Sequence, residues 1–146
     1  MKSDDVVITS AFRTAIGSFN GSLSSKTAPE LGSTVIKKCV ENSGLKKEEV
    51  DMVYMGQVLT TGTGQNPARQ ASILAGLANE TTNTTVNQVC GSGLASVALA
   101  YNSIKSGDGK LVIAGGQESM SNSPHYINIR KGEKISDDKM KDSMII

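Results

Sequence analysis

The stretch that decides the fold is "TTVNQVCGSGLASVALAYNSIKSGDGKLVIAGG", residues 84–116. Residues 84–89 have the β-branched composition of a strand that ends at Cys90, and residues 110–116 form a continuous apolar run of strand length. Between them, residues 93–107 are apolar nearly all round in their first two turns, which is typical of a buried helix. The order predicts a parallel, right-handed βαβ unit whose last strand is covered on both faces.

Four further elements are predicted on the amino-terminal side of this unit. They are a strand over 5–12, a helix over 28–43, a strand over 52–59, and a helix that begins at the Asn66–Pro67 pair and runs to Gly76. Alternating strands and helices predict an α/β fold with a mostly parallel central sheet.

The helix over 28–43 has the clearest boundary signals. Thr27 and Glu30 have capping-box spacing, and Gly44 stands where a left-handed C-terminal cap belongs. An apolar stripe predicts the face that packs on the core; its residues are Leu31, Val35 and Cys39, joined by Ile36 and Val40.

Composition limits the classes of protein that the chain can represent. It has 146 residues, enough for one domain, and 15 basic residues stand against 14 acidic ones without clustering, which argues against a nucleic-acid surface. The two cysteines and the acidic start "MKSDDVVITS" indicate a cytoplasmic protein with reduced thiols rather than a secreted one. No apolar run approaches the roughly 20 residues that cross a bilayer, so no membrane association is expected.

Cys90 is the candidate catalytic residue. A thiol at the start of a helix lies close to N–H groups that carry partial positive charge, which favours the thiolate nucleophile and can stabilise an anionic oxygen. Gly91 and Gly93 on either side of Ser92 are expected to leave room for an acyl group near the sulfur. The alternative is that Cys90 is a small core residue, as free cysteines often are.

Other sites receive weaker support. Cys39 is expected to be a core residue, and His125, the only histidine, to be solvated rather than a catalytic base. The glycine-containing segments match neither a dinucleotide-binding fingerprint nor a P-loop, so no permanently bound cofactor is predicted. Two cysteines and one histidine match no zinc spacing, and the acidic run over 136–142 is expected to be a solvated face, so no metal site is predicted.

Four segments together resemble the thiolases, the acetyl-CoA acetyltransferase family. "VNQVCGSGLASVALA" (86–100) is similar to the family's nucleophile segment. The other three are "SAFRTAIGSFNGSL" (10–23), "GQNPARQA" (64–71) and "AGGQESMSNSPH" (114–125), and they occur in the family's order. A ketoacyl synthase would share a nucleophile at a helix start, but the segments 64–71 and 114–125 favour a thiolase.

The resemblance implies a layered αβαβα fold in which two related halves pack together. Residues 1–117 would be the first half, carrying the nucleophile, and residues 118–146 the start of an inserted loop region. The resemblance also implies a homodimer or homotetramer, with Arg69 at a subunit interface or anchoring a loop. The apolar end "SMII" suggests a piece of a longer chain.

The implied chemistry is a reversible Claisen condensation. Cys90 would accept an acetyl group from one acetyl-CoA, and the carbanion of a second acetyl-CoA would attack the acetyl-cysteine to give acetoacetyl-CoA. The family's activating histidine, its second acid/base cysteine and its water-positioning asparagine come from later sequence, and His125 falls in the wrong motif to replace the histidine. Residues 1–146 alone are therefore expected to be inactive.

A different class of protein is the alternative, namely a non-catalytic half-domain that binds or assembles with a partner. Reading the encoding gene past the codon for Ile146 would decide between the two. A continuing frame with a histidine motif and a second cysteine supports the enzyme, and a stop codon supports the half-domain. Acyl-chain length and the direction of the reaction depend on residues outside this sequence.

Overall fold

The computed structural model describes residues 5–130, 132 and 140–145. The three α-helices are α1 (Ala28–Ser43), α2 (Pro67–Leu74) and α3 (Ser92–Ser106). The strands are β1 (Met52–Gly56), β2 (Thr82–Val86), β3 (Val112–Gly116), β4 (His125–Tyr126) and β5 (Lys141–Asp142). Short 3₁₀ turns span Lys47–Glu49 and Met120–Asn122.

The main sheet is parallel, with β1 in the centre and the strand order β2-β1-β3. Met52 pairs with Thr82 on one side and Val112 on the other, and Gly56 pairs with Val86 and Gly116. The predicted parallel arrangement of strand, helix and strand is confirmed, although β1 lies between its two strands. The run predicted to be covered on both faces forms β3, which has only one neighbouring strand among the described residues and is half-buried along most of its length.

Helices cover both faces of this sheet. Val53 and Met55 of β1 are buried in a cluster with Ile36 of α1 and Ala68 and Ala71 of α2. On the opposite face, which carries the alternate residues of β1, the Tyr54 hydroxyl lies 2.9 Å from Ser103 Oγ of α3. The predicted α/β class is therefore confirmed, with helix, sheet and helix layers.

The segment over residues 5–12 corrects the first predicted strand. It has no strand assignment, and its apolar side chains are largely exposed, Ile8 at 81%. A β-branched run becomes a strand only when another backbone pairs with it, and the three-stranded sheet seen among the described residues does not include this segment.

The predicted boundaries of α1 are confirmed, but its buried face is rotated from the predicted stripe. Thr27 and Glu30 form the capping box, and Gly44 is left-handed at φ 71°. The buried residues are Ala28, Pro29, Gly32 and Ile36, whereas Leu31, Val35 and Cys39 are only half-buried. The small side chains at positions 28 and 32 let α1 approach α2 closely. The buried face of α1 is therefore the one that lies nearest α2, not the one with the largest apolar side chains.

Helix α3 is less buried than its apolar composition predicts. Its buried residues are Ser92, Ser96 and Ala100, which recur every four positions and face the sheet. Leu94 is 77% exposed, and Val97 and Tyr101 on the same outer stripe are also exposed. Nothing among the described residues packs over that stripe, so the prediction of a fully buried helix is wrong for this chain.

The polar segment after Gly116 is anchored to the rest of the chain at its start. Gln117 is buried, and Asn122 Nδ2 donates to the carbonyls of Ser24 and Lys26 at 2.8 and 2.9 Å. Further on, β4 and β5 form a separate antiparallel pair. Within the described ranges, none of the helices is long and apolar enough to cross a membrane.

Candidate active site

The candidate site lies at the carboxyl edge of the parallel sheet. Strands β1, β2 and β3 end at Gly56, Val86 and Gly116, which are partners in register. In open parallel sheets, ligands bind at this edge, where the loops leave the strands. The loop that leaves β2 carries Cys90 and turns directly into α3.

Cys90 is a free, exposed thiol immediately before Gly91, the N-cap residue of α3. The predicted helix start beside the thiol is confirmed. The predicted strand end is wrong, because the strand was predicted to reach residue 89 and β2 stops three residues earlier, at Val86. Gly91 N donates to Gln88 O and Ser92 N donates to Val89 O, both at 3.1 Å, so residues 87–91 form a tight turn rather than a longer strand.

Val89 occupies an unusual backbone conformation in this turn. Its φ is 51°, in the left-handed region that β-branched residues rarely adopt, and its side chain is 65% exposed. Such a conformation costs on the order of 1–3 kcal/mol and persists only where the surroundings impose it. The residue before the thiol is therefore held in a sharp bend between strand and helix.

Glycines let the start of α3 lie directly against the sheet. A Cβ added to Gly56 would lie 2.6 Å from the carbonyl carbon of Ser92 and 2.7 Å from the nitrogen of Gly93. One added to Gly93 would meet only the Gly116 backbone at 3.9 Å. Gly93 thus faces the sheet, and the expectation that its missing side chain makes room for an acyl group is not supported by its orientation. Gly56 is the glycine that the sequence reasoning missed.

Polar side chains after β1 and β3 brace the loops around the turn. Gln117 Nε2 donates to Gln57 Oε1 at 2.9 Å, and both glutamines are buried. The Glu118 carboxylate accepts from Val58 N at 2.8 Å and from Leu59 N at 3.3 Å. The sequence reasoning singled out none of these residues, although each of the three lies within two positions of a strand's end, which is the available signal.

The other candidate residues lie apart from this turn. Cys39 is half-buried on α1, and His125 is exposed in β4, opposite Asp142 of β5. Arg69 Nη1 donates to Thr81 O at 3.2 Å, so this side chain anchors the segment that leads into β2. Within the described part of the chain, no three His, Cys, Asp or Glu side chains come together in a way that could hold a metal ion.

A model of the thiolase N-terminal domain matches residues 6–146. The chain belongs to this family. The acetyl-CoA acetyltransferase of Cupriavidus necator is 55% identical over 143 residues, which are 97% of this chain and 36% of the relative. The one from Rhizobium meliloti is 52% identical over 145 residues, 99% of this chain and 37% of the relative. The one from Chromobacterium violaceum is 55% identical over 142 residues, with 97% and 36% covered.

This thiolase-family chain thus spans little more than a third of the length of these curated relatives. The matched region includes the whole parallel sheet and the turn with Cys90. The thiolase family match also favours the thiolase over the ketoacyl synthase that the nucleophile segment alone left open.

Proposed function

We propose that the complete protein containing this chain is an acetyl-CoA C-acetyltransferase in which Cys90 is the catalytic nucleophile. The observation that carries the proposal is the exposed thiol at the start of α3, at the carboxyl edge of a parallel sheet. The relatives of 50–55% identity that bear the name acetyl-CoA acetyltransferase support the same reaction.

The reaction proceeds in two steps. Cys90 Sγ attacks the thioester carbonyl of one acetyl-CoA, a C–S bond forms, and coenzyme A leaves as its thiolate and takes up a proton. A second acetyl-CoA then loses a methyl proton to a base, and its carbanion attacks the acetyl-cysteine. Acetoacetyl-CoA departs and the Cys90 thiolate is released, so no redox partner is needed. The Cys90 N–H contributes to binding the oxyanion in each step.

The substrates are acetyl-CoA and acetoacetyl-CoA, and no permanently bound cofactor takes part. The bases that these steps require come from sequence beyond the 146 residues, so this chain alone does not turn over. Residues 1–117 act as the nucleophile-bearing half and residues 118–146 as the start of a loop region. We further propose a cytoplasmic homodimer or homotetramer, which the family resemblance supports.

The test measures the thiolytic cleavage of acetoacetyl-CoA by the full natural protein. The loss of substrate absorbance reports the rate. Cys90→Ala is expected to lower kcat by about a thousand-fold or more, because the nucleophile and its partners act as a unit. Cys39→Ala is the matched control, since it removes the other thiol from a half-buried position on α1. Retained activity in Cys90→Ala would contradict the proposal.

A further inference from the structure

The hydroxyl of Ser92 bridges two backbone groups of the turn before Cys90. Ser92 is only 4% exposed, and its Oγ accepts a hydrogen bond from Gln88 N at 2.8 Å. The same Oγ donates to Val89 O at 2.6 Å. A buried side chain of the first helical residue therefore fixes the two residues that precede the thiol.

The amide of Asn87 holds the other side of Val89. Asn87 Oδ1 accepts from Val89 N at 3.1 Å, and Asn87 Nδ2 donates to Val58 O at 3.3 Å. Val58 N in turn donates to the Glu118 carboxylate. The peptide groups on both sides of Val89 are thus tied, one to the helix start and one to the loop after β1.

These hydrogen bonds account for the backbone conformation of Val89. A valine at φ 51° is disfavoured by its own side chain, and with 65% of its surface exposed it makes little packing that could compensate. The hydrogen bond from Val89 N to Asn87, and those from Ser92 N and Ser92 Oγ to Val89 O, are contacts that oppose this preference. If they were lost, Val89 would relax toward the β region and the chain direction at Cys90 would change.

We infer that Ser92 and Asn87 are positioning residues for Cys90: together they hold Val89 in its left-handed conformation and so fix where the thiol stands at the start of α3. The inference rests on the proposed function only in taking Cys90 as the reacting group. Neither residue is a catalytic residue, because each acts through the backbone of Val89.

The test measures the rate at which iodoacetamide alkylates Cys90 in the full natural protein, read by peptide mass spectrometry with Cys39 as an internal reference. Ser92→Ala is expected to slow alkylation of Cys90 about ten-fold, because the sulfur would move away from the N–H groups at the start of α3 that assist a nucleophile there. Ser96→Ala is the matched control. Ser96 is fully buried one turn along the same helix, but its Oγ donates to Ser92 O and not to the turn.

A second substitution separates positioning from a general loss of stability. Asparagine accepts the left-handed region far better than valine does. The double variant Val89→Asn/Ser92→Ala is therefore expected to recover alkylation to within about three-fold of wild type. The inference is overturned if Ser92→Ala reacts as fast as Ser96→Ala, or if Val89→Asn restores nothing.

Asn87 provides an independent pair of variants should Ser92→Ala fail to fold. Asn87→Ala removes both the acceptor for Val89 N and the donor to Val58 O, whereas Asn87→Asp keeps the acceptor oxygen and loses only the donor. Slower alkylation in Asn87→Ala, with a clearly smaller loss in Asn87→Asp, supports the inference. Equal rates in the two variants contradict it.

Steady-state kinetics distinguish this inference from the proposed function. In Ser92→Ala, kcat for acetoacetyl-CoA cleavage is expected to fall by about ten-fold while KM changes less than about two-fold, since the Ser92 hydroxyl is buried and bonded within the turn. If the wild-type protein cleaves no acetoacetyl-CoA but the alkylation pattern holds, the proposed function fails and the inference stands. If the wild type is active and Ser92→Ala is equally active and reactive, only the inference fails.

Discussion

Gly56, at the end of the central strand, determines how closely α3 can approach the sheet. An added Cβ would overlap backbone atoms of Ser92 and Gly93, and a backbone cannot turn aside as a flexible side chain can. The same helix start carries Ser92, which holds the turn before Cys90. The packing of one glycine therefore bears on the geometry of the candidate nucleophile.

Gly56→Ala is expected to reduce the free energy of unfolding by about 2 kcal/mol or more, because the first turn of α3 must move away from the sheet. Gly93→Ala is the control, since its added Cβ would make only an ordinary contact 3.9 Å from Gly116 and would favour the helix. Urea denaturation of the two variants gives the comparison. Equal stabilities would show that α3 does not pack on Gly56 as described.

Asp51 shows how a surface carboxylate can give stability a dependence on pH. It accepts from Lys110 N at 2.7 Å and Leu111 N at 3.0 Å, and the hydrogen bond from Leu111, followed by that from Lys110, holds the pKa of this carboxyl below its ordinary value of 3.8. A lowered pKa means that the folded state prefers the charged form. The resulting stabilisation is present above the unfolded pKa and is lost as the pH falls through the folded one.

Asp51→Asn is therefore expected to lower the melting temperature slightly at pH 7, by an amount that solvent screening keeps small. The difference from wild type should shrink as the pH drops below 3.8, where the wild-type carboxylate also becomes protonated. Asp108→Asn is the comparison, because the Asp108 carboxylate accepts a hydrogen bond only from the nearby Ser106 hydroxyl among the contacts described. A difference that stays constant from pH 7 to well below pH 3.8 would contradict this reading.

At the scale of the elements, helix α1 shows which features can be predicted from neighbouring residues in the sequence. Thr27 N donates to Glu30 Oε2 at 2.8 Å, and Glu30 N donates to Thr27 Oγ1 at 3.4 Å. The sequence predicted both the cap and the helix boundaries because these contacts are made within four residues. The hydrogen bond from Thr27 N also lowers the pKa of Glu30, so the cap is expected to be strongest above the ordinary value of 4.5 for that carboxyl.

Thr27→Ala is expected to cost about 1 kcal/mol of stability, the usual effect of removing a helix N-cap. Thr34→Ala makes the same chemical change at an exposed position in the middle of α1 and is expected to be neutral or slightly stabilising. Thermal unfolding followed by circular dichroism at pH 7 compares them. A loss in Thr34→Ala as large as that in Thr27→Ala would mean that the cap has no special role.

Strands were less predictable than helices for a physical reason. The helix caps are local, but a strand exists only through its neighbours. The apolar run over 5–12 looked like a strand, yet the sheet formed by the described residues does not include it. The end of β2 was misplaced because Val89 is a β-branched residue, a type that is common in strands. Its actual conformation is set by a hydrogen bond from Val89 N to Asn87 and one from Ser92 Oγ to Val89 O, which composition does not reveal.

At the scale of the whole molecule, the layers could be predicted from the sequence, whereas the exposure of their outer surfaces could not. The alternation of strands and helices predicted an α/β fold, and the structure has helices on both faces of a parallel sheet. The outward stripe of α3 was predicted to be buried, yet Leu94, Val97 and Tyr101 are exposed. Burial depends on every element that could pack on the stripe, and a helix's own composition cannot supply that information.

The candidate site was predictable only in part, because some of its features are local in sequence and others are not. Cys90 stood out because glycines and a helix start follow it directly, and the structure places it exposed at that helix start. The supporting residues Gly56, Gln117 and Glu118 are distant in sequence and become neighbours only through the strand register. The family segment over 114–125 contains Gln117 and Glu118 but does not reveal their contacts, and Gly56 lies outside all four family segments.

The most direct measurement is the location of the acetyl group after the full natural protein meets acetyl-CoA for a short time and is quenched in acid. Peptide mass spectrometry should find one acetyl group, removable by hydroxylamine, on the peptide that contains Cys90, and none after Cys90→Ala. An acetyl group on Cys39 instead, or a folded protein with no acetylated cysteine, would contradict the assignment of Cys90 as the nucleophile.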